Sequence, residues 1–236
     1  MREERSEKAK KNELDVLFQI SRALVGKQNL GEVLQQIVSM TAEILDSKIC
    51  SLMLLDEVKH ELVIRATQSL STAYRDKPPI PVGQSVSGRV VLTKKAIQVA
   101  DVAEDPLYGH PEIARQEGLC SLLSVPMRVG ERVIGVLNCY TGEKRDFAKR
   151  DIQLVQTIAN QAAIAIEHMR VIGEEAEARL ALETKKIVDK AKRVLMKKHR
   201  MGEEQAHRFI QKASMEKNKP QKEIAEAILM AVELEK

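Results

Sequence analysis

A chain of 236 residues with 44% apolar and 31% charged side chains has the composition of one or two folded domains, which excludes a disordered or low-complexity protein. No run approaches the ~18 apolar residues of a membrane span, and the first ten residues (MREERSEKAK) lack the apolar core of a secretory signal, so a cytoplasmic protein without a membrane partner is expected. The formal net charge is +4, yet residues 185–222 hold thirteen Lys or Arg against four Asp or Glu, which leaves about −5 for the remainder and marks the C-terminal quarter as the part that touches a polyanion.

Residues 1–11 form a charged segment. An apolar series Leu14, Leu17, Phe18, Leu24, Val25 predicts one helix, Gly26 to Gly31 interrupts it, and Val33, Leu34, Ile37, Val38, Leu45 predict the next. The period then changes. Ile49 to Leu55 and Leu62 to Ala66, separated by polar residues, read as a hairpin, and Pro78, Pro79, Pro81 and Gly83 mark an extended loop before a short helix at Ser87 to Thr93. Further strands are expected at Ala96 to Val99, Ser121 to Val125 and Val133 to Tyr140, with Met127 to Arg132 as a turn. Five or six strands flanked by helices predict an α+β domain on an antiparallel sheet.

The segment from Asp101 to Gly118 reads as a long loop, and loops of that length inside compact domains tend to be functional. Asp105, Tyr108 and His110 within it, with Cys120 at its edge, are the candidates to line a ligand pocket enclosed by loop and sheet. The three cysteines, Cys50, Cys120 and Cys139, show no CxxC spacing and no flanking His, which argues against a disulfide framework or a zinc site and for small buried hydrophobes. A redox role, the competing reading, falls first on Cys120. No nucleophile-and-base constellation, phosphate loop or paired carboxylate points to catalysis, so neither an enzyme nor a bound cofactor or metal is expected.

From Phe147 a helix runs toward Arg200. The series Leu154, Ile158, Ala162, Ala165, Met169, Ile172, Ala176 has the 3.5-residue period of a coiled-coil seam, which predicts a dimerising linker over residues 152–182 and a homodimer. The competing reading packs Ile152 to Ile166 on the domain's own sheet and breaks the helix at Gly173. Beyond it, Ile187, Ala191, Val194, Leu195, then Ala206, Phe209, Ile210, Ala213, then Ile224, Ala225, Ile228, Leu229, Val232 predict three short helices with a shared core. In that pattern Phe209 is a core residue.

Residues 12–169 resemble a GAF domain. The resemblance is carried by Val102 to Tyr108 (VAEDPLY), Gly118 to Pro126 (GLCSLLSVP), Val133 to Asn138 (VIGVLN) and Phe147 to Ile166. Asn138 is followed by Cys139 rather than by the lysine of many cyclic-nucleotide-binding members, so the small-molecule effector or sensor partner is not identified. Residues 180–233 resemble an ANTAR domain, a three-helix RNA-binding module, through Ile187, Ala191, Lys192, Leu195, Met196, His199, Glu204, Ala206, Phe209, Ile210, Asn218 and Ala225. Arg193 stands where that family usually has glycine. Some GAF-like proteins reduce free methionine sulfoxide with cysteines, but here the cysteines are expected on strands rather than on an exposed loop pair.

The ANTAR resemblance implies a transcription antitermination regulator that binds paired hairpins in leader transcripts. Lys192, Arg193, Lys197, Lys198, Arg200, Arg208, Lys212 and Lys219 are expected to contact phosphates, and Asn218 to read splayed loop bases. Two other readings keep the charge and change the partner. A helix-turn-helix on duplex DNA fits poorly, because Glu203 and Glu204 open the second helix. A GAF-based signalling adaptor would direct the basic tail at an acidic protein.

Overall fold

The computed structural model describes residues 30–233. The charged segment, the predicted helix from Leu14 to Val25 and the first part of the domain expected from residue 12 lie outside the described residues, as does the side chain of Val232. The chain divides into two compact units at Met169 and Arg170. No helix among the described residues is long and apolar enough to cross a membrane.

In the first unit, α1 (Leu30–Leu45) precedes the hairpin of β1 (Ile49–Asp56) and β2 (Glu61–Thr67). There follow α2 (Thr72–Arg75), β3 (Ile80–Pro81), α3 (Ser85–Thr93), β4 (Ile97–Val99), α4 (Pro111–Glu117), β5 (Leu122–Val129) and β6 (Arg132–Tyr140). The six strands form one antiparallel sheet in the order β3-β2-β1-β6-β5-β4. The β5–β6 turn is tighter than the sequence suggested. Val129 pairs with Arg132, so Gly130 and Glu131 alone make the turn, Gly130 in the left-handed region at φ 59°. The predicted long loop is also shortened, because Pro111 opens α4 and Gly118 closes it in the left-handed conformation, φ 57°.

Alternation along the strands sends side chains to two cores. Cys50, Leu52, Leu123, Val125, Leu137 and Cys139 face α1 and the first turns of the long helix α5 (Lys149–His199), where Val155, Ile158, Ala159, Ala162, Ala165 and Ile166 are buried. Cys50 lies directly opposite Cys139, with their sulfurs 3.3 Å apart. Both thiols are fully buried, while Cys120 is half-buried. On the other face Ile49, Leu122 and Tyr140 pack with Tyr74, Val86, Val102, Tyr108 and Leu119 beneath α2, α3 and α4.

The expected coiled-coil seam therefore divides. Ile158, Ala162 and Ala165 are spent on the domain's own sheet, as the competing reading had it. The helix nevertheless runs on through Gly173, and apolar exposure resumes at Val171, Ile172, Leu180 and Leu182. One glycine in a helix interior costs only ~1 kcal/mol, and its neighbours are strong helix formers.

In the second unit the end of α5 packs with α6 (Glu203–Lys217) and α7 (Gln221–Glu233). Val188, Ala191, Leu195, Ala206, Ile210, Ile224 and Ala225 form its core. Gly202 starts α6, its N–H bound by Gln205 Oε1 at 3.0 Å, and Asn218 ends it at φ 50°.

Three glycines separate packing from propensity. A Cβ on Gly135 would stand 2.2 Å from the Met53 carbonyl oxygen, and one on Gly88 2.4 Å from that of Pro81, whereas at Gly173 nothing lies within 4 Å. Gly135→Ala and Gly88→Ala are each expected to destabilise the first unit by about 2–3 kcal/mol. Gly173→Ala should stabilise its helix by ~0.5–1 kcal/mol. Urea denaturation of the three variants checks both signs.

Candidate functional site

All three tyrosines of the chain meet on the sheet face opposite α1. Tyr140 of β6 makes edge contacts with Tyr74 of α2, centroids 5.9 Å apart, and with Tyr108, at 6.2 Å. Lys77 Nζ lies among them, 4.1 Å from the Tyr74 ring centre and 5.5 Å from each of the others, and donates to the Tyr108 hydroxyl at 3.1 Å. Tyr108 donates in turn to the Tyr140 hydroxyl at 3.3 Å, and the Tyr74 hydroxyl bonds Ser51 Oγ at 2.8 Å. Beside them a buried polar row crosses the sheet, Ser51 to Asn138 to Ser124, in direct register. Ser87 of α3 donates to Asn138 Oδ1 at 3.2 Å, and among the described residues Ser124 Oγ has no hydrogen-bond partner.

Local chemistry holds this cluster. Ser71 caps α2, accepting from the Tyr74 N–H at 3.4 Å, and donates to Glu117 Oε1 of α4 at 2.5 Å. Asp105 folds back on its own turn, Oδ1 accepting from the Leu107 N–H at 2.8 Å, which presents Tyr108 inward.

Of the four predicted pocket residues, only Tyr108 joins the cluster. Asp105 is a turn former. His110 occupies the N-cap position of α4 without a side-chain capping bond, its Nδ1 3.6 Å from a Glu112 carboxylate oxygen, and Cys120 directs its thiol at the Ala100 carbonyl, 3.7 Å away. Lys77, Tyr74, Tyr140 and the polar row were missed. Lys77 sits before two prolines and reads as loop surface, whereas Tyr140 and Asn138 share a strand face by their i, i+2 spacing, a signal present in the sequence.

Burial pushes all three phenols well above the usual range for tyrosine. Burial also lowers Lys77 from 10.5 to about 8, opposed by the more distant charges of Glu112 and Glu117. With its folded value depressed, the protonated form opposes folding at neutral pH, and the stability from this group grows only as pH rises from about 8 toward 10.5. Lys77→Met is therefore expected to raise the melting temperature of the first unit at pH 7. That gain should shrink by pH 9, which thermal unfolding at the two pH values tests.

The predicted RNA-contacting cations occupy the second unit in three ways. Lys192 is half-buried between Asp189 at 2.8 Å and Glu203 at 3.0 Å, tying α5 to α6, and its hydrogen bond to Asp189 raises its pKa. Arg208 pairs with Glu204 and Lys212 with Glu216 at 3.7 Å, both exposed pairs along α6, and Lys219, in the turn before α7, pairs with Glu223 at 3.1 Å. Such pairs are worth ~0.3–0.5 kcal/mol and yield readily to a polyanion. Arg193, Lys197, Lys198 and Arg200 are exposed on the end of α5 and the turn after it, and among the described residues Lys197 and Arg200 have no ion-pair partner. Asn218 serves as the left-handed C-cap of α6.

Phe209 departs from expectation. Ile210 takes the core position, 0% exposed, because Ala206, Ile210 and Ala213 form the buried stripe, and Phe209, one position off it, is 47% exposed. It borders an apolar groove of about 480 Å³ with Lys212, Lys217, Ile224, Ala227 and Ile228. An aromatic face beside two lysines can stack a base and hold its phosphate.

The GAF domain family model matches residues 27–167 and the ANTAR domain model residues 176–229. Over 147 residues the chain is 30% identical to the methyl sulfide methyltransferase-associated sensor of Methanosarcina acetivorans, covering 60% of this chain and 15% of that protein. Over 70 residues it is 39% identical to the transcriptional regulatory protein PdtaR of Mycobacterium tuberculosis, covering 28% of this chain and 34% of that one. The chain thus spans about a third or less of the length of these curated relatives. Among solved structures it resembles the GAF domain of a phosphoenolpyruvate-protein phosphotransferase from Coxiella burnetii. The TM-score is 0.61 at 29% identity, over 69% of this chain and 97% of that one.

Proposed function

Because the chain belongs to the GAF domain family and continues into an ANTAR domain, which makes it a regulator with an RNA-binding output, we propose that it is a signal-responsive transcription antitermination regulator. In this reading it works in the cytoplasm as a homodimer. Each ANTAR bundle grips one hairpin of a paired stem-loop in a leader transcript, and the stabilised RNA excludes the competing terminator.

The observation that carries the reading is the exposed cationic cluster at the end of α5 and in the turn after it, Arg193, Lys197, Lys198 and Arg200, together with the weakly paired Arg208, Lys212 and Lys219. Phosphates bind the cations, Phe209 offers a stacking face for an unpaired base, and a second tethered bundle raises the effective concentration of the second contact. Dimerisation is supported by Val171, Ala178 and Leu182, exposed on one face of α5 at heptad-compatible spacing. An effector in the first unit changes the population of binding-competent dimers by binding one arrangement of that helix better than the other.

Replacing Lys197, Lys198 and Arg200 together by Glu is expected to weaken binding to a tandem hairpin RNA at least about 100-fold and to lower the salt slope by roughly 2–3. Circular dichroism should show the helices intact. Phe209→Ala should cost about 1–3 kcal/mol of RNA affinity without loss of stability. Val171→Glu with Leu182→Glu should give a monomer by sedimentation with weakened tandem-hairpin binding. Equal binding of hairpin RNA and duplex DNA, or loss of neither on charge reversal, would refute the reading.

A further inference from the structure

The three phenol rings and Lys77 are a feature the RNA-binding output does not use. An ammonium has three donor directions, and Lys77 spends one on the Tyr108 hydroxyl. Its other described neighbours are the faces of Tyr74, Tyr108 and Tyr140. Among the described residues no carboxylate lies within ion-pair distance of it. Glu112 is engaged with His110, and Glu117 accepts from Ser71. A cation removed from water is stabilised fully only by a partner of opposite charge that also takes its hydrogen bonds.

We infer that Lys77 anchors a binding site for a small, singly charged oxyanion of the carboxylate type, whose oxygens accept from the Lys77 ammonium and from the Tyr140 hydroxyl, the Tyr108 proton being committed to Tyr140. This rests on the reading of the first unit as the sensor and names the class of its effector. Single charge follows from the single cation in the cluster, since a dianion would bring uncompensated charge among Val86, Val102 and Leu119. A cationic ligand is disfavoured because the ring faces already hold an ammonium. Lys77 is half-buried and keeps partial access to solvent, whereas Tyr108 and Tyr140 are buried.

The anion binds only protonated Lys77, so affinity is full below about pH 8 and declines above it. The groups facing the ammonium are the phenols of Tyr74 and Tyr108 from the α2 side and loop, that of Tyr140 from β6, and Glu112 and Glu117 from α4. Burial keeps the phenols neutral throughout that range.

The chain has no tryptophan and only these three tyrosines, so intrinsic tyrosine emission reports on this cluster alone. The full chain is titrated with sodium acetate, sodium formate and inorganic phosphate at constant ionic strength, with sodium chloride and tetramethylammonium chloride as controls. A saturable response to acetate or formate is expected, stronger than to phosphate, at least tenfold weaker at pH 9.5 than at pH 7, and abolished in Lys77→Met. The wild-type pH dependence stands as a second reading should that variant fold poorly. A response to tetramethylammonium instead, a preference for phosphate, an acetate response unchanged in Lys77→Met, or no saturable response to any oxyanion would overturn the assignment. RNA affinity measured in parallel separates the two claims. Lys77-dependent anion binding that leaves RNA affinity unchanged upholds the site and removes the sensor role.

Discussion

The pairing of β1 with β6 is the constraint on which the first unit rests. It joins residues about ninety apart in sequence, as Cys50 opposite Cys139 shows, and places both strands at the centre of the sheet. Register then decides everything else. With Ser51 opposite Asn138, the polar residues and Tyr140 share one face, and the cysteines and leucines the other. A slip of one residue would exchange the faces, burying serines under α5 and turning leucines toward Tyr74. The apolar face seats α1 and α5, which frees the opposite face to be polar without loss of the domain's main core. Gly135, whose backbone approaches the Met53 carbonyl, fixes where along β1 this pairing can settle.

Much of this was legible in the sequence because it is local. The apolar runs of β1 and β6, the proline and glycine punctuation of the β3 region, and the spacing of Ile187, Ala191 and Leu195 each encode an element by their own period. Where the reading failed, two demands competed for one pattern. Ile158, Ala162 and Ala165 fit a coiled-coil seam and a helix packed on a sheet equally well, and only the presence of the sheet decides between them. Phe209 and Ile210 are adjacent apolar positions that both fit the stripe in sequence, and the fold buries Ile210 while leaving Phe209 half-exposed at the groove beside α7. Lys77 carried no signal, since a lysine before two prolines has the composition of surface loop. Its importance comes from α2, a helix of four residues too short to be read by periodicity.

The second unit distributes its charge unevenly, and this bears on its output. Lys192 is a clamp between α5 and α6, so its removal would act through stability as much as through affinity. The cations at the end of α5 sit where the helix dipole already favours them, which makes their presence compatible with an ordinary helix terminus. The same unit also carries a half-exposed aromatic ring, Phe209, at a groove between α6 and α7. Phosphate attraction supplies affinity of any register. An aromatic face selects unpaired bases, and the two together discriminate a loop from a uniform duplex.

The thiols have a practical consequence. Cys139 is pushed well above its ordinary pKa, first by its hydrogen bond with Cys50 and then by burial, and neither sulfur is accessible in the fold. Cys120 alone is partly open to solvent, at the start of β5 where the segment from Asp101 rejoins the sheet. Thiolate character and access govern alkylation. The native chain therefore carries its own single attachment point for a maleimide dye or spin label, one strand-width from the phenol cluster, and needs no engineered cysteine.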